Sequence, residues 1–491
     1  MEKNPGQPSQ PALRRRTLLS AAAVGVPIAV GLRYSTSAAA NDQAGAWAAP
    51  FFMGGVAIHA TLMHTDEVLF FQDVEGAAGT DRTSYVATWN WRTGVLREAP
   101  FTSPRDVFCA ANNVLQDGRI FVSGGHDPNT GKKQSPIGVV ETDIFDPVAR
   151  TWTRTAPLGQ KRWYPTSVGL ANGRTLVFGG TASPGVASTT VDEYDAATNT
   201  MRRLPTTANK NVGQYPRMHL MANGRVLRSG TSGSTSSFDP ATNRWSNVSS
   251  MIYGQRSHGV AALLSGSQIV LTAGGGSPTR TAEVLDTSQA SPRWRSTGSL
   301  TYARMLANTV VLPDGQVLIL GGGAAFKSVG PVKIPELYNP TTGVWTPMAA
   351  HQGSRMYHAT ALLLPDARVL LAGQDSGPLA RHGEIFSPPY LFRGARPTIS
   401  TSPATVALGG QFTFTSPQAS DLTRVVLIRG GSNTHEIDSD QRSVPLTFTT
   451  SGTTVTARVP SSGNEIPKGY YMLFAVNRGG VPSVAPWIRV T

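Results

Sequence analysis

Nine residues, Asp117-Gly118-Arg119-Ile120-Phe121-Val122-Ser123-Gly124-Gly125, form a phrase that recurs along the chain. A second copy, Asn172-Gly173-Arg174-Thr175-Leu176-Val177-Phe178-Gly179-Gly180, keeps the opening turn, the apolar strand and the double glycine. Shorter or more degenerate copies are found at 67–71, 223–225, 274–275, 314–316 and 366–368. Successive copies lie roughly 44 to 55 residues apart, which is the period of a kelch-type propeller blade.

An aromatic residue, an Asp or Asn and a proline follow several copies, and a tryptophan comes shortly afterwards. The examples are Phe145-Asp146-Pro147 with Trp152, Phe238-Asp239-Pro240 with Trp245, and Tyr338-Asn339-Pro340 with Trp345. A turn, an apolar strand, a double glycine and a tryptophan indicate a four-stranded meander in each repeat. Seven copies therefore predict an all-β fold whose main part is a seven-bladed kelch-type β-propeller.

The propeller is predicted to occupy residues 41–393 of the 491-residue chain. Residues 394–491 alternate Val, Leu, Phe and Thr with polar residues and contain no double-glycine kelch phrase. This alternation and length predict a C-terminal immunoglobulin-like β-sandwich. The 51 glycines and 35 prolines of the chain also favour short strands and tight turns over helices.

Residues 1–40 are predicted to form an export signal. Arg14-Arg15-Arg16 precede an apolar stretch from Leu18 to Val30, and Ala38-Ala39-Ala40 offers a small-residue cleavage site. The paired arginines before two leucines favour twin-arginine export, while an ordinary secretory signal and an uncleaved anchor are the alternatives. The apolar stretch is short for a transmembrane helix. We therefore expect a protein that is secreted or attached to the cell surface.

The formal net charge is +13, but the basic residues of the mature chain are dispersed singly. Because no run of Lys and Arg interleaved with aromatics follows the leader, a nucleic-acid partner is not expected. A weak attraction to anionic polymers or cell-wall material is compatible with this charge. We expect a monomer that acts on a small molecule or a glycan.

The repeat also identifies equivalent positions in successive blades. Eight residues before the Asp or Asn that opens a phrase stand Cys109, Tyr164, Tyr215, Leu306 and His358. This position lies just before the first apolar strand, which lines the central channel of a propeller. We therefore predict that these side chains ring one mouth of the channel, with Tyr357 beside them. A lone cysteine is usually a buried small hydrophobe, but packing does not call for a ring of Cys, Tyr and His.

Several of these segments resemble the active-site segments of the galactose oxidase and glyoxal oxidase family of copper radical oxidases. They are Arg105–Cys109, Arg162–Thr166, Arg355–Thr360, Asn433–His435 and Asp440–Leu446. The C-terminal segments Gly469–Phe474 and Val481–Ser483 are similar to the terminal domain of that family. The resemblance covers nearly all of the mature chain, and the segments come in the family's order. It implies a propeller followed by a domain that donates a copper-binding histidine through the channel.

The resemblance implies a role for each of five residues. Cys109 matches a cysteine that forms a thioether to a tyrosine, and Tyr164 matches that tyrosine, which carries a radical. Tyr357 matches an axial tyrosine that acts as a base, and His358 and His435 match the two histidine ligands of Cu(II). Tyr164 and Tyr357 would complete the metal site. A mixed set of imidazoles and phenolates suits tetragonal Cu(II).

Other residues near the ring are open to more than one interpretation. Taken alone, His358 reads as a hydrogen-bonded core residue and Tyr164 as a strand aromatic. Tyr215 and Arg217 are either structural or part of a substrate pocket. His59 and His258 are interpreted as structural. Some relatives cover the linked tyrosine with an aromatic from the following loop, but that loop here, Thr181–Ala187, has no aromatic residue.

The expected reaction is oxidation of a small aldehyde or primary alcohol by O2, with H2O2 as the second product. Small aldehydes are favoured because Arg162–Thr166 looks more like the glyoxal-oxidising branch of the family. One alternative is a catalytically silent kelch propeller that binds a glycan or a protein. The other is a structural copper protein that forms no radical.

Overall fold

The computed structural model describes residues 38–74, 83–101, 105–127, 137–326 and 329–491. Most of the export signal predicted for 1–40 therefore lies outside the described residues. Within them the chain is almost entirely β-structure, with one α-helix, Ala38–Ala44. Three short 3-10 helices are Thr206–Ala208, Pro389–Phe392 and Ala419–Asp421. No helix of the described ranges has the length and apolar character needed to cross a membrane.

Seven sheets of the described residues are the propeller blades, as the repeat predicts. The strands of blades 1 and 2 are His59–Leu62, Glu67–Val74, Ser84–Asn90, Leu96–Glu98, Ala111–Val114, Ile120–Ser123, Thr142–Asp146 and Thr151–Arg154. Those of blades 3 and 4 are Thr166–Gly169, Thr175–Phe178, Asp192–Asp195, Thr200–Arg203, Arg217–Leu220, Val226–Ser229, Ser234–Asp239 and Arg244–Ser250. Those of blades 5 and 6 are Val260–Leu263, Ile269–Ala273, Ala282–Asp286, Trp294–Ser296, Met305–Val311, Val317–Ala325, Glu336–Asn339 and Val344–Pro347. Two short additions are the hairpin Thr181–Ser183 with Val186–Ala187, and Val329–Pro331 on blade 6.

Blade 7 closes the ring by combining both ends of the propeller sequence. Its three C-terminal strands are Thr360–Leu363, Val369–Ala372 and His382–Ser387. The N-terminal strands Ala46–Trp47 and Phe51–Phe52 pair antiparallel with the last of them. The first strands of successive blades are neighbours around the channel, and that of blade 7 lies beside that of blade 1. The closed ring leaves the sheets no long free edge toward the channel.

The recurring phrase forms the turn between the first two strands of a blade. The carboxylate of Asp117 accepts a hydrogen bond from the Arg119 N–H at 3.1 Å. The side-chain oxygen of Asn172 accepts the equivalent bond from the Arg174 N–H. The glycine between them is left-handed in both copies, with φ of +91° at Gly118 and +83° at Gly173. An Asx turn followed by glycine is thus the local reason why the phrase reverses the chain.

The double glycine holds neighbouring blades together. The first glycine of four pairs has φ between +65° and +72°; these are Gly124, Gly179, Gly274 and Gly321, and the single glycine at the equivalent place in blade 7, Gly373, has φ +72°. A Cβ on Gly124 would lie 2.5 Å from the carbonyl oxygen of Arg162 in the next blade, and one on Gly179 would lie 2.5 Å from that of Gly213. Only glycine combines this dihedral with so close an approach of another backbone.

An arginine before the first strand is fixed inside the blade by a carboxylate on the third strand. The five pairs are Arg105–Asp143, Arg162–Asp192, Arg256–Glu283, Arg304–Glu336 and Arg355–Glu384. In each pair both side chains are at most 5% exposed. Four of the guanidinium groups also donate to the carbonyl of the first glycine of their own blade's pair, and that of Arg355 donates to the carbonyl of the single glycine Gly373. The pair therefore fixes the loop that carries the ring position.

The C-terminal domain is a nearly closed β-sandwich, as predicted. In sheet order its strands are Thr405–Val406, Trp487–Val490, Gly469–Asn477, Leu422–Arg429, Arg442–Ser451, Thr454–Arg458 and Gln411–Thr415. A hairpin of Ser432–Thr434 and Ile437–Asp438 leaves this sheet and pairs with the first strand of blade 1. In that register His59 lies opposite Thr434 and Ala60 opposite Asn433. The hairpin thus brings His435 to the centre of the propeller.

The contact between blades gives a stability prediction for Gly179→Ala. Alanine at φ +66° costs about 1–2 kcal/mol by itself, and its Cβ meets the Gly213 backbone. We expect a further cost of about 1–3 kcal/mol from overpacking. Gly185→Ala is the matched control, because Gly185 has φ +76° and a Cβ at this position would meet no heavy atom of the described residues within 4 Å. If chemical denaturation shows the same loss of unfolding free energy in both variants, the close contact between Gly179 and the Gly213 backbone does not contribute as described.

Candidate metal and radical site

The ring positions share one unusual backbone conformation. Left-handed φ values between +40° and +65° occur at Cys109, Tyr164, Tyr215, Leu306 and His358. A non-glycine residue in this region is strained, and such strain persists only where the surrounding structure imposes it. His435 on the C-terminal hairpin has the same feature, with φ +52°. The same left-handed turn therefore recurs at the ring position of these blades and directs each side chain toward the channel.

Two tyrosines and two histidines converge at the mouth of the channel. The hydroxyl groups of Tyr164 and Tyr357 are hydrogen-bonded to each other. The His358 ring stacks on Tyr357 with centroids 4.1 Å apart, and the His435 ring stands perpendicular to His358 at 4.7 Å. The centroid of His435 is 5.1 Å from that of Tyr164 and 5.0 Å from that of Tyr357. The structure thus brings together the four residues to which the sequence assigned metal ligation.

Hydrogen bonds determine which ring nitrogens remain for a metal. His358 Nδ1 lies 2.5 Å from a carboxylate oxygen of Asp375, and His435 Nδ1 lies 2.8 Å from the Thr434 hydroxyl. His358 Nε2 is buried and has no hydrogen-bond partner among the described residues. His435 Nε2 is 3.8 Å from the Cys109 sulfur. Oxygen partners therefore occupy the Nδ1 atom of each ring, which leaves the two Nε2 atoms for a metal.

This donor set fits Cu(II). Two imidazole nitrogens and two phenol oxygens are the mixed N,O ligands that tetragonal Cu(II) favours. Ligand atoms of Cys109, His358 and His435 also lie within 4.8 Å of one another. The orphaned Nε2 of His358 and the facing hydroxyls indicate a metal position among these groups, which are held by propeller blades 3 and 7 and by the C-terminal hairpin.

The electrostatics of the metal-free site also fit a cation. Burial raises the pKa of Tyr164 and of Tyr357 well above the usual value for tyrosine, so both phenols keep their protons. Burial, and then the neighbouring His358, lower the pKa of His435 well below its usual value, so this imidazole is neutral. A neutral imidazole is ready to bind a metal, whereas a phenolate at neutral pH needs the charge of the metal.

Cys109 and Tyr164 are neighbours in adjacent blades. The Tyr164 N–H donates to the Cys109 carbonyl at 3.0 Å, and the two side chains pack in one cluster with Tyr215 and Ile437. Cys109 is fully buried. Burial raises the pKa of its thiol well above the usual value. The geometry therefore places an un-ionised thiol beside the Tyr164 ring.

Comparisons with known proteins agree with this site. The family model described as "Galactose oxidase-like, Early set domain" matches residues 396–490, and "Glyoxal oxidase N-terminus" matches residues 276–382. A galactose oxidase of Gibberella zeae is 31% identical over 450 residues, which cover 82% of this chain and 64% of that protein. The aldehyde oxidase GLOX of Vitis pseudoreticulata is 28% identical, with coverage of 78% of this chain and 82% of that protein.

A solved structure extends the likeness to the whole architecture. A fungal alcohol oxidase in complex with copper superposes with a TM-score of 0.80 at 27% sequence identity, over 91% of this chain and all of that chain. The chain is thus similar to the galactose oxidase and glyoxal oxidase family in both sequence and architecture. It spans 64% of the length of the Gibberella galactose oxidase.

An aromatic cover on Tyr164 comes from a position other than the 181–187 loop. The Trp163 ring stacks on Tyr164 with centroids 4.0 Å apart and planes at 15°. Tyr215 also stacks on Tyr164, at 4.6 Å and 27°. Because two rings cannot both stack on one face at these distances, they cover opposite faces. Trp163 directly precedes Tyr164, so an aromatic residue that could cover the Tyr164 ring was already visible in the sequence.

Tyr215 and Arg217 are both buried, at 5% and 2% exposed. The Tyr215 hydroxyl donates to the Ala110 carbonyl at 2.9 Å, and Arg217 donates to the Gly259 carbonyl at 2.6 Å. Arg217 also lies 3.5 Å from Glu436, a residue that the sequence reasoning missed although it follows His435. These contacts fit the structural interpretation of both residues better than an open substrate pocket.

The two remaining histidines of the ring differ from each other. His59 is fully buried, stacks on Phe71 at 4.3 Å and lies 3.1 Å from the Asn112 side chain, as a structural residue does. The His258 side chain is 33% exposed and lies 3.7 Å from Glu436. It meets Phe326 edge-on at 4.7 Å, and Phe326 meets Tyr357 at 5.2 Å. His258 therefore borders the open side of Tyr357, which the structural interpretation did not foresee.

The burial of Cys109 makes its reactivity a test of the site. In metal-free folded protein at pH 8, we expect no reaction with a thiol reagent, because the raised pKa keeps the buried thiol protonated. One thiol should titrate after unfolding in guanidinium. Val148→Cys is the positive control, since Val148 is 75% exposed and should add one thiol that reacts in the folded state. Rapid labelling of native wild-type protein would show that the thiol is not enclosed as described.

Proposed function

We propose that the protein is a copper radical oxidase that converts a small aldehyde or primary alcohol and O2 into the acid or aldehyde and H2O2. The observation that carries the proposal is the convergence of two hydrogen-bonded phenols and two imidazole rings beside a buried cysteine. The balanced reactions are RCH2OH + O2 → RCHO + H2O2 and, through the hydrate, RCH(OH)2 + O2 → RCOOH + H2O2. The likeness to a galactose oxidase and to an aldehyde oxidase supports this class of substrates.

The protein-derived cofactor is a thioether between the Cys109 sulfur and the ring carbon beside the Tyr164 hydroxyl. Its formation removes the thiol hydrogen and one ring hydrogen, and O2 takes up these two hydrogens and two electrons as H2O2. The thioether adds electron density to the phenol ring and lowers its oxidation potential. Stacking of Trp163 and Tyr215 on the two faces of Tyr164 excludes water and other reductants from the radical.

The remaining roles follow from the positions of the side chains. His358, His435, Tyr164 and Tyr357 would hold copper, which would supply one of the two one-electron changes and stabilise the phenolates. The Tyr357 oxygen would accept the proton of the substrate hydroxyl, and Tyr164 in its oxidised form would accept the hydrogen atom of the adjacent carbon. Phe326 and His258 border Tyr357 on the exposed side, where a small substrate would enter.

We also propose that residues 1–40 direct export through the twin-arginine route and that the mature protein acts outside the cell as a monomer. The paired arginines and the following apolar stretch support the route. Lysine replacement of Arg15 and Arg16, followed by fractionation of cells expressing the full chain, tests it. Export that is unchanged would favour the ordinary secretory alternative.

Cross-link formation separates a radical oxidase from a silent binding module. After aerobic loading with copper, wild-type protein should lose its thiol and two hydrogens of mass. Cys109→Ala should bind copper without the mass change, and Tyr164→Phe should lose the cross-link together with one metal ligand. Tyr194→Phe, a buried tyrosine on the third strand of blade 3, controls for the Tyr→Phe substitution. An intact thiol in copper-loaded wild type would argue against the cofactor.

Peroxide release measures the proposed reaction directly. We expect copper-loaded, oxidant-activated protein to release H2O2 with glycolaldehyde or methylglyoxal. Tyr357→Phe should reduce kcat/KM by about 10²- to 10⁴-fold, because the proton acceptor is removed, while Tyr194→Phe remains close to wild type. If protein with a confirmed cross-link releases no peroxide from any aldehyde or alcohol of a broad panel, the oxidase assignment is wrong.

A further inference from the structure

A polar cavity adjoins the metal site on the side of His358. It opens to solvent, has an empty volume of about 600 Å³ including its open mouth, and is lined by Val56, Ile58, Gln72, Asp73, Phe108, His358, Gln374 and Asp375. Two carboxylates, Asp73 and Asp375, lie on its wall. Sequence reasoning did not single out Asp375, which follows the strand Val369–Ala372 of the blade that carries His358. The cavity gives this carboxylate access to the imidazole and to water at the same time.

The contact between Asp375 and His358 is close and directional. A carboxylate oxygen of Asp375 lies 2.5 Å from His358 Nδ1, while 9% of the His358 side chain and 31% of the Asp375 side chain are exposed. The His358 ring lies against Tyr357, stacked at 4.1 Å, and against Phe108, edge-on at 5.4 Å. These rings restrict its tilt, so the carboxylate determines which ring nitrogen faces the site.

The second histidine has a different partner. His435 Nδ1 lies 2.8 Å from the Thr434 hydroxyl, which is neutral. A carboxylate that accepts the Nδ1–H fixes the imidazole tautomer and increases the basicity of the opposite nitrogen. A hydroxyl does the first but supplies no negative charge. The two imidazoles are therefore unequal donors, and His358 is the stronger one.

We propose that Asp375 is a positioning residue for copper: it holds His358 in the tautomer that leaves Nε2 for the metal and makes that nitrogen the stronger of the two imidazole donors. The proposal rests on the proposed function, since it takes the metal to be bound at this site. Loss of a partner of this kind typically costs about 10- to 100-fold in metal affinity.

Copper affinity of the metal-free protein tests this role without an activity assay. We would measure Cu(II) binding by competition with a chelator for wild type, Asp375→Ala, Asp375→Asn, Asp375→Glu and Asp73→Asn. We expect Asp375→Ala to weaken binding by about 10- to 100-fold. Asp375→Asn should weaken it less, because the amide oxygen still accepts the hydrogen bond, and Asp375→Glu should restore part of the affinity. The Cu(II) EPR hyperfine splitting should change in Asp375→Ala, since one of the nitrogen donors is altered.

Asp73→Asn is the matched control. It removes one negative charge from the same cavity but leaves the contact between Asp375 and His358 Nδ1 in place. If Asp73→Asn weakens copper binding as much as Asp375→Asn, the effect is the charge of the cavity and the positioning role is wrong. Unchanged affinity and EPR spectrum in both Asp375→Ala and Asp375→Asn overturn it as well. Thermal melting of the metal-free variants checks that they are folded. If Asp375→Ala is unfolded, the copper affinities of Asp375→Asn and Asp375→Glu carry the test instead.

The outcomes also separate this inference from the proposed function. Wild type that binds copper and forms the cross-link, together with unaffected Asp375 variants, removes the inference and leaves the oxidase in place. Wild type that binds no copper at this site overturns both.

Discussion

The rest of the structure depends on the buried ion pair between an arginine before the first strand and a carboxylate on the third strand of the same blade. Removing one partner of such a pair typically costs about 3–5 kcal/mol, because the other charge stays buried and unpaired. The arginine also donates to the carbonyl of a glycine of its own blade, which is the first glycine of the pair in blades 3 and 6 and the single Gly373 in blade 7. One interaction thus connects the third strand, the interblade contact and the loop that carries the ring residue. Pairs of this kind precede Cys109, Tyr164 and His358.

Blade 4, whose strands all lie among the described residues, lacks the internal pair of an arginine before the first strand and a carboxylate on the third. By strand register, Ser236 stands where Asp192 stands in blade 3. The arginine of this blade, Arg217, lies on the first strand and reaches Glu436 on the hairpin of the C-terminal domain. The blade therefore uses a contact with the other domain in the place of an internal pair. The site depends on both domains, since His435 arrives on that same hairpin.

The sequence predicted those parts of the site that lie within the repeat, and it predicted little of what lies outside it. Period and turn chemistry predicted the seven blades, and the same spacing gave the positions of Cys109, Tyr164 and His358 because equivalent residues occupy equivalent loops. His435 lies outside the repeat, so only the family resemblance identified it. Asp375 and Glu436 belong to irregular segments with no periodicity, and their roles come from tertiary contacts. The export signal and the domain boundaries stay predictions.

His258 was misjudged for a related reason. Its blade has Ser265-Gly266-Ser267 in place of a clear opening phrase, which obscured its equivalence with His358 two residues before the first strand. A histidine at this position is buried in blade 7 and partly exposed in blade 5. The difference arises from the neighbouring loops, since Phe326 covers one side of His258 and leaves the other open. Loops of this kind, not the blades, set the shape of the entrance.

The central claim is that copper is held by two imidazoles and two phenol oxygens, with Cys109 joined to Tyr164 instead of to the metal. X-ray absorption at the copper edge of protein that has been loaded with copper in air, without selecting for the cross-linked form, distinguishes the two arrangements, because sulfur and light-atom ligands differ in distance and scattering. By analogy with other divalent ions, the account predicts only nitrogen and oxygen scatterers at about 2.0 Å. A sulfur scatterer at about 2.3 Å would place the Cys109 thiolate on the metal and contradict the account.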